Sequence, residues 1–188
     1  RVAFALRKLV GGTTPAARIW EIDCDLRPEG KQGLLARSLG GYGAYFERWA
    51  LMWERQAMAR ARPVAGAPAV GTKFMALLDE AVWQRPLTAE DEREIRRLKS
   101  RVERERIPPG DDPQFHLKLG RGSLSDVEWT AQLLQLRNGV RAPSTIGALH
   151  LLTQLGHLDP TDRDVLVDAY RFCERTRNRW FLVKGDRG

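Results

Sequence analysis

Apolar residues recur every three to four positions along most of this sequence, and that spacing limits the possible fold more than any other feature. In the first long stretch, Leu34 to Arg62, the apolar positions are Leu35, Leu39, Tyr42, Tyr45, Phe46, Trp49, Met52 and Trp53. A period near 3.6 is typical of amphipathic helices. From Thr72 onward, the same period predicts about five helices with short connections, the pattern of an antiparallel bundle. We therefore expect a mainly α fold.

The helical periodicity breaks clearly at one place. Residues Pro63 to Gly71 (PVAGAPAVG) are rich in proline, glycine and alanine, a composition typical of connections. We place a domain boundary there, with one unit over residues 1–66 and a helical bundle over residues 67–188. If the stretch before the boundary forms two abutting helices, its glycines are the expected hinge; they are Gly40, Gly41 and Gly43.

A short β-strand is expected near the start of the chain, within the sequence RIWEIDCDLRPEGK (Arg18 to Lys31). Ile19, Trp20 and Ile22 form a brief apolar run that is closed by a turn containing proline and glycine. Together with the neighbouring helices, this strand would form a small α/β part. Asp23 would then lie at the end of the strand.

Asp23 is the leading candidate for chemistry. A carboxylate at a strand end, followed by the cations Arg27 and Lys31, is suited to holding a divalent metal while the cations face phosphate oxygens. We predict that Asp23 is a metal ligand and catalytic residue and that Arg27 and Lys31 bind phosphate. The alternative is that Asp23 and Asp25 are turn carboxylates paired with a nearby arginine.

A second candidate region is the glycine-rich sequence KLGRGSLSDVE, which precedes and opens a predicted helix. Glycine-rich loops at helix N-termini can bind anions through free backbone N–H groups. Under this interpretation Lys118 and Arg121 contact phosphate. Under the alternative, the motif is a buried polar clasp between helices or domains. Its structural residues are Gly120, Gly122, Asp126 and Glu128.

A third candidate lies at the end of the first helical stretch. Trp53 and Glu54 are followed by Arg60 and Arg62. Tryptophans here are typically core residues. Cations at a helix end next to the Asp23 strand could instead reach nucleotide phosphates. We treat Arg60 and Arg62 as phosphate contacts and Trp53 and Glu54 as interdomain or structural residues.

Composition limits the cellular setting and the partners. The net charge of +7 suggests a polyanionic or acidic partner. Basic and acidic residues are interleaved, however, and no nucleic-acid-binding signature is present, so we expect no nucleic-acid partner. We also expect no membrane span and no export signal. Cys24 and Cys173 match no metal-ligand spacing, which favours a reducing cytoplasm without disulfide or zinc.

Three stretches together resemble successive signatures of the glutamine synthetase adenylyltransferase family. They are IDCDLRPEG, WERQAMARARPVAG (Trp53 to Gly66) and KLGRGSLSDVEWTAQLLQL (Lys118 to Leu136), and the similarity extends over essentially the whole chain. Family members are bifunctional enzymes with two nucleotidyltransferase halves, each followed by a helical domain. The sequences ERIPPGDDP and TRNRWFLVKG look more like the C-terminal half, which adds AMP, than the half that removes it.

The resemblance implies a reaction and its participants. AMP would move from ATP, with Mg²⁺, to a tyrosine of glutamine synthetase, with the PII signal protein and glutamine as regulators. In this family the metal carboxylates are a D-x-D pair after a Gly-Ser motif and a third aspartate on a later strand, which Asp23 matches. No Gly-Ser motif precedes Asp23 and Asp25, and Asp25 stands where many relatives carry arginine. Ala67 also departs from the family pattern, because relatives usually carry an acidic residue at this position, directly after VAG.

These departures indicate that the chain is part of a larger enzyme and alone lacks the full active site. Residues 1–66 would be the back part of a nucleotidyltransferase domain, and the bundle would follow it. Another class of function is open: a non-catalytic helical module that docks on glutamine synthetase or a regulatory protein. A nucleic-acid nucleotidyltransferase would require a basic groove lined by aromatic residues.

Overall fold

The computed structural model describes residues 1–12, 14, 17 and 22–185, and most of them lie in α-helices. The helices are α1 (Val2–Gly11), α2 (Leu39–Arg48), α3 (Met52–Met58), α4 (Pro68–Leu78), α5 (Ala89–Arg106), α6 (Leu124–Asn138), α7 (Thr145–Gln154) and α8 (Pro160–Lys184). A 3-10 turn, Gly30–Gln32, lies between α1 and α2, and a π-helical segment, Asp79–Trp83, continues α4. The prediction of a mainly α chain is confirmed.

The predicted β-strand falls largely outside the described residues. Ile19 and Trp20 belong to the undescribed residues 18–21, while Ile22 and Asp23 lie in irregular backbone before a turn. Within the described parts of the chain there is no β-strand. The strand and the small α/β part therefore stay predictions.

The first helical stretch divides at a different place from the predicted glycine hinge. α2 begins after Ser38, whose Oγ accepts a hydrogen bond from the N–H of Gly41 at 3.1 Å, so the three glycines lie in its first turns. The break falls at residues 49–51, where Glu54 accepts the N–H of Leu51 at 2.9 Å. The predicted hinge was wrong because side-chain caps, rather than glycine content, determine where these two helices begin.

Helix α3, which lies before the predicted domain boundary, packs against elements that lie after it. Met52 of α3 shares a buried cluster with Val82 of the π-helical segment, Ile95 of α5 and Leu136 of α6. The division into residues 1–66 and 67–188 stays a prediction. The connection itself is shorter than expected, since α4 already begins at Pro68, and proline is favoured at the first position of a helix.

Helix α6 contributes to both of the buried clusters that the described residues form. Leu136 lies in the cluster with α3 and α5, whereas Val127 and Ala131 pack with Leu149 of α7 and Val167 of α8. A helix that is buried on more than one face cannot show a single apolar stripe. Helix α6 accordingly has buried residues on more than one face, Gln132 and Gln135 among them, and it joins the helices of the two clusters.

Helix α5 is highly charged, so its start is fixed by hydrogen bonds rather than by burial. Thr88 Oγ1 accepts the N–H of Asp91 at 3.1 Å, and Asp91 Oδ2 accepts the N–H of Thr88 at 2.9 Å. These two bonds form a reciprocal capping box at the start of α5. Arg85 adds an ion pair to Asp91 at 3.5 Å. Asp91 is therefore buried as a paired carboxylate.

Asp91 should make the chain acid-sensitive. Burial alone would raise the pKa of Asp91, but hydrogen bonds from Thr88 and the charges of Arg85 and Arg55 outweigh it and lower that pKa. The stabilisation is therefore fully present above the unfolded pKa of about 3.9, and it is lost as the pH falls below that value and through the lower pKa of the folded state. At pH 6, Asp91→Asn should cost about 1 kcal/mol of unfolding free energy, and the difference should shrink below pH 4. Urea unfolding at both pH values measures this.

The exposed residue Glu94 on the same helix provides the control for that measurement. Glu94→Gln should unfold at the same urea concentration as the wild-type chain at pH 6. An Asp91→Asn deficit that persisted undiminished at low pH would contradict the assigned role of the Asp91 charge.

The first and last helices, α1 and α8, carry exposed apolar side chains. α1 has no buried residue, and Val2 and Leu9 are 83% and 72% exposed. Leu182 and Val183 near the end of α8 are 82% and 79% exposed. No helix among the described residues is long and apolar enough to cross a membrane.

Candidate functional site

The loop over residues 22–33, called here the site loop, is built around the guanidinium of Arg27. Its Nε donates to the carbonyl of Gly33 at 2.8 Å, Nη1 to that of Cys24 at 2.7 Å, and Nη2 to that of Lys31 at 2.8 Å. Only 14% of this side chain is exposed. Arg27 therefore holds both ends of the loop together, and its predicted contact with phosphate remains a prediction.

Glycine is required where the site loop closes. A Cβ on Gly33 would lie 1.9 Å from the carbonyl oxygen of Pro28, far inside van der Waals contact. The chain can therefore pass directly over the buried Pro28 only with hydrogen at this position. Together with the three bonds of Arg27, this close approach makes the site loop a compact unit.

Asp23 and Lys31 line one open cleft beside the site loop. The cleft has a volume of about 440 Å³ and is lined by Arg7, Ile22, Asp23, Cys24, Asp25, Arg27 and Lys31. Asp23 Oδ1 accepts the N–H of Asp25 at 2.7 Å, and the residue is exposed. Asp23 thus forms a turn and also lines the open cleft, and its role as a metal ligand stays a prediction.

The cations of the cleft are arranged around Asp25 rather than Asp23. Lys31 Nζ lies 3.5 Å from Asp25 Oδ2, and Arg27 Nη1 lies 3.8 Å from Asp25 Oδ1. The Lys31 side chain is 80% exposed, and exposed ion pairs of this kind contribute little to stability. Lys31 can therefore leave Asp25 for a phosphate at small cost.

Asp23 can supply one oxygen ligand to Mg²⁺. Within the described residues no group of three or more His, Cys, Asp or Glu side chains could hold a metal ion. Mg²⁺ is commonly held by one or two carboxylates with substrate phosphates and water completing its shell. Asp23 fits the role of a single carboxylate in such a site, with further ligands coming from elsewhere.

A series of hydrogen bonds connects the site loop to α3, and the sequence did not predict it. Glu54, only 6% exposed, accepts the hydroxyl of Tyr45 on Oε1 at 2.7 Å. Burial and this bond to Glu54 raise the pKa of Tyr45, in that order of importance. The available signal was the glutamate at the third position of a helix, where it can cap. Trp53 beside it is partly buried.

Arg55 is a partly buried charge that the sequence did not reveal. Its Nη2 donates to the carbonyl of Phe46 at 2.7 Å, and its Nη1 donates to that of Ala81. Burial and the neighbouring Arg85 lower the pKa of Arg55. Arg55 thereby connects α2, α3 and the π-helical segment.

Arg60 and Glu128 form an ion pair although they lie 68 positions apart in the sequence. Arg60 Nη1 donates to Glu128 Oε1 at 2.8 Å, and the hydroxyl of Tyr170 donates to the same oxygen at 3.4 Å. Burial, followed by the charge of Glu128, raises the pKa of Tyr170. These three residues connect the chain after α3 with α6 and α8. Arg62 is exposed, and contact of either arginine with phosphate stays a prediction.

The glycine-rich motif folds back on itself. Asp126 Oδ2 accepts the N–H of Gly122 at 2.6 Å, while Oδ1 accepts from Lys99 of α5. Burial alone would lower the pKa of Lys99, but hydrogen bonds to Asp126 and Glu103 outweigh it and raise that pKa. Asp126 therefore ties the loop before α6 to α5, and the role of the motif stays a prediction.

The first N–H groups of α6 already have partners. Those of Leu124 and Ser125 donate to the carbonyls of Leu117 and Lys118 at 3.2 and 3.0 Å. An anion at this helix end would therefore depend on side chains rather than on the backbone. Lys118 and Arg121 are exposed, with no ion pair among the described residues.

Comparison with known proteins defines the class to which this arrangement belongs. Residues 1–77 match the family model described as Glutamate-ammonia ligase adenylyltransferase, and residues 88–187 match the one described as GlnD PII-uridylyltransferase. Both descriptions name enzymes that transfer a nucleotidyl group. The site loop and the helices after it thus correspond to a segment of a nucleotidyl-transferring enzyme.

Curated relatives make the assignment specific. One is the bifunctional glutamine synthetase adenylyltransferase/adenylyl-removing enzyme of Streptomyces avermitilis, 47% identical over 173 residues, which are 89% of this chain and 17% of that protein. The enzyme of the same name from Mycobacterium tuberculosis is 42% identical over 194 residues, covering 98% of this chain and 19% of that protein. The chain belongs to the family of bifunctional glutamine synthetase adenylyltransferase/adenylyl-removing enzymes. It spans 17 to 19% of the length of these relatives.

Proposed function

We propose that this chain is part of an enzyme that transfers AMP from ATP to a tyrosine of glutamine synthetase and so regulates nitrogen assimilation. The observation that carries the proposal is the cleft in which Asp23 and Lys31 face the same open volume. The cleft lies in the segment that matches the adenylyltransferase family model. The names of the relatives support the same reaction.

The reaction assigns a role to each residue of the cleft. The tyrosine oxygen forms a bond to the α-phosphorus of ATP, the bond from that phosphorus to the bridging oxygen breaks, and pyrophosphate leaves. Asp23 either provides a carboxylate ligand for Mg²⁺ or accepts the hydroxyl proton. Lys31 binds a phosphate oxygen. Arg27 holds the site loop in place through its hydrogen bonds to the carbonyls of Gly33 and Lys31. Bound Mg²⁺ would offset negative charge on the phosphates.

The remaining candidate site residues take supporting roles in this proposal. Arg62, Lys118 and Arg121 are exposed cations available to phosphate or to an acidic protein surface. Arg60 would have to leave Glu128 before contacting phosphate. Residues 1–66 are proposed as the back part of the nucleotidyltransferase domain, and residues 67–188 as an antiparallel bundle that follows it. The PII signal protein is the proposed regulator, and the cytoplasm the proposed location.

The test is AMP transfer by the full-length enzyme, using ATP labelled in the α-phosphate and glutamine synthetase as acceptor. Lys31→Ala should raise the KM for ATP about five- to tenfold, because it removes one charge-assisted contact to phosphate. Lys73→Ala is the matched control, since Lys73 is an exposed lysine of α4 outside the cleft. It should leave the KM unchanged.

Two outcomes would contradict the proposal. An unchanged KM in Lys31→Ala would remove Lys31 from the phosphate site. Absence of label on glutamine synthetase, together with binding of this chain to glutamine synthetase but not to ATP in a calorimetric titration, would favour the non-catalytic interaction module.

A further inference from the structure

The joint between the site loop and the helices is Glu29. It is the single non-glycine residue with positive φ, 64°, among the described residues. L-residues rarely adopt this conformation, which costs about 1 kcal/mol and persists only where surrounding contacts hold it. The carboxylate of Glu29 accepts from Arg37 at 2.8 Å, and its N–H donates to the hydroxyl of Tyr45 at 3.4 Å.

Tyr45 contacts this joint in two ways. Its hydroxyl accepts from the N–H of Glu29, and the guanidinium of Arg37 lies over its ring, 5.6 Å from the centroid. The ring thus supports the arginine that holds the carboxylate of Glu29. Removing the hydroxyl would leave the ring contact in place, so the two contributions can be separated by mutation.

The hydroxyl of Tyr45 is itself fixed from the other side. It donates to Glu54 Oε1 at 2.7 Å, while Glu54 Oε2 accepts the N–H of Leu51 at 2.9 Å. Glu54 cannot turn away without also leaving the start of α3 uncapped. A continuous series of contacts therefore connects the first turn of α3 to Glu29.

We infer that Tyr45 is a positioning residue, which with Glu54 fixes the orientation of the site loop and thereby of Asp23 and Lys31. This rests on the proposed function, because it assigns a role in AMP transfer. The three carbonyl bonds of Arg27 make the loop move as a unit. A displacement at Glu29 is therefore transmitted to the cleft, where small errors in position are costly to a reaction.

The test is Tyr45→Phe in the full-length enzyme, assayed for AMP transfer to glutamine synthetase. We expect kcat to fall about tenfold, as for loss of one hydrogen bond to a charged group, with an unchanged KM for glutamine synthetase. The Mg²⁺ concentration at half-maximal rate should rise, because Asp23 is displaced. Hydrogen exchange in residues 22–33 should accelerate.

Tyr42→Phe is the matched control, one turn earlier on α2. The Tyr42 ring packs edge-on against Phe74 with centroids 5.1 Å apart, and its hydroxyl has no hydrogen bond among the described residues. This variant should keep wild-type kcat and Mg²⁺ dependence. In addition, Glu54→Gln combined with Tyr45→Phe should lower kcat by much less than the product of the two single effects, since both act through one contact.

The outcomes separate the inference from the proposed function. If Asp23→Asn is inactive while Tyr45→Phe has the kcat and Mg²⁺ dependence of Tyr42→Phe, the positioning role is wrong and the proposed function stands. If kcat falls in Tyr45→Phe only in proportion to a lowered melting temperature, with Mg²⁺ dependence unchanged, Tyr45 is merely structural. If Asp23→Asn transfers AMP at the wild-type rate, Asp23 has no part in the reaction and the inference fails. The proposed function itself fails only if the wild-type full-length enzyme transfers no AMP to glutamine synthetase.

Discussion

Replacing Asp23 with asparagine in the full-length enzyme should reduce kcat for AMP transfer by at least about a hundredfold, because a carboxylate bound to Mg²⁺ supplies several kcal/mol to the transition state. The fold should survive the change. Asp23 is exposed, and the one hydrogen bond it makes among the described residues, to the N–H of Asp25, uses an oxygen that asparagine retains. The melting temperature of the variant is expected to match that of the wild-type enzyme.

Asp25→Asn is the matched control for this substitution. Asp25 lies two positions away in the same cleft, and it forms ion pairs with Arg27 and Lys31 at 3.8 and 3.5 Å. Pairs this exposed contribute about 0 to 1 kcal/mol, so the control should fold normally and lose no more than about threefold in rate. Equal losses in both variants would mean that the cleft needs negative charge in general, and full activity of Asp23→Asn would remove Asp23 from the reaction.

Helix starts were predictable because their determinants are local in sequence. Thr88 and Asp91, three positions apart, form a capping box at the start of α5. Asp159, followed by Pro160, opens α8, and its Oδ1 accepts the N–H of Thr161 at 2.7 Å. The break between α2 and α3 was missed because Glu54 is a cap and also a partner of Tyr45. Its second role depends on how α2 folds back, which periodicity does not reveal.

The candidate site was predictable in its residue types and not in their partners. The sequence places Asp23, Arg27 and Lys31 close together, and they do line one cleft. The sequence could not show that the guanidinium of Arg27 donates its hydrogen bonds to backbone carbonyls, because a backbone acceptor has no signature in sequence. Nor could it pair Arg60 with Glu128, because that contact depends on the packing of distant helices.

Gly120→Ala should be the most destabilising single substitution in the glycine-rich motif. A Cβ on Gly120 would lie 2.3 Å from the carbonyl oxygen of Pro113 and 2.7 Å from that of His116. Both obstacles are backbone atoms, and the N–H of Gly120 also donates to His116 at 2.8 Å, so the loop must open to accommodate a methyl group. We expect a loss of about 3 kcal/mol in the unfolding free energy of this chain, measured by urea denaturation.

The position of this loop explains why adding one methyl group at Gly120 should also disturb the helices packed around it. The segment that would open is the one whose carbonyls, at Leu117 and Lys118, accept the first N–H groups of α6, and α6 contributes to both buried clusters. Gly40→Ala is the control, because nothing lies within 4 Å of a Cβ there and the residue is in the first turn of α2. It should stabilise the chain by about 0.5 kcal/mol. If Gly120→Ala were equally well tolerated, the loop would not be what fixes the start of α6.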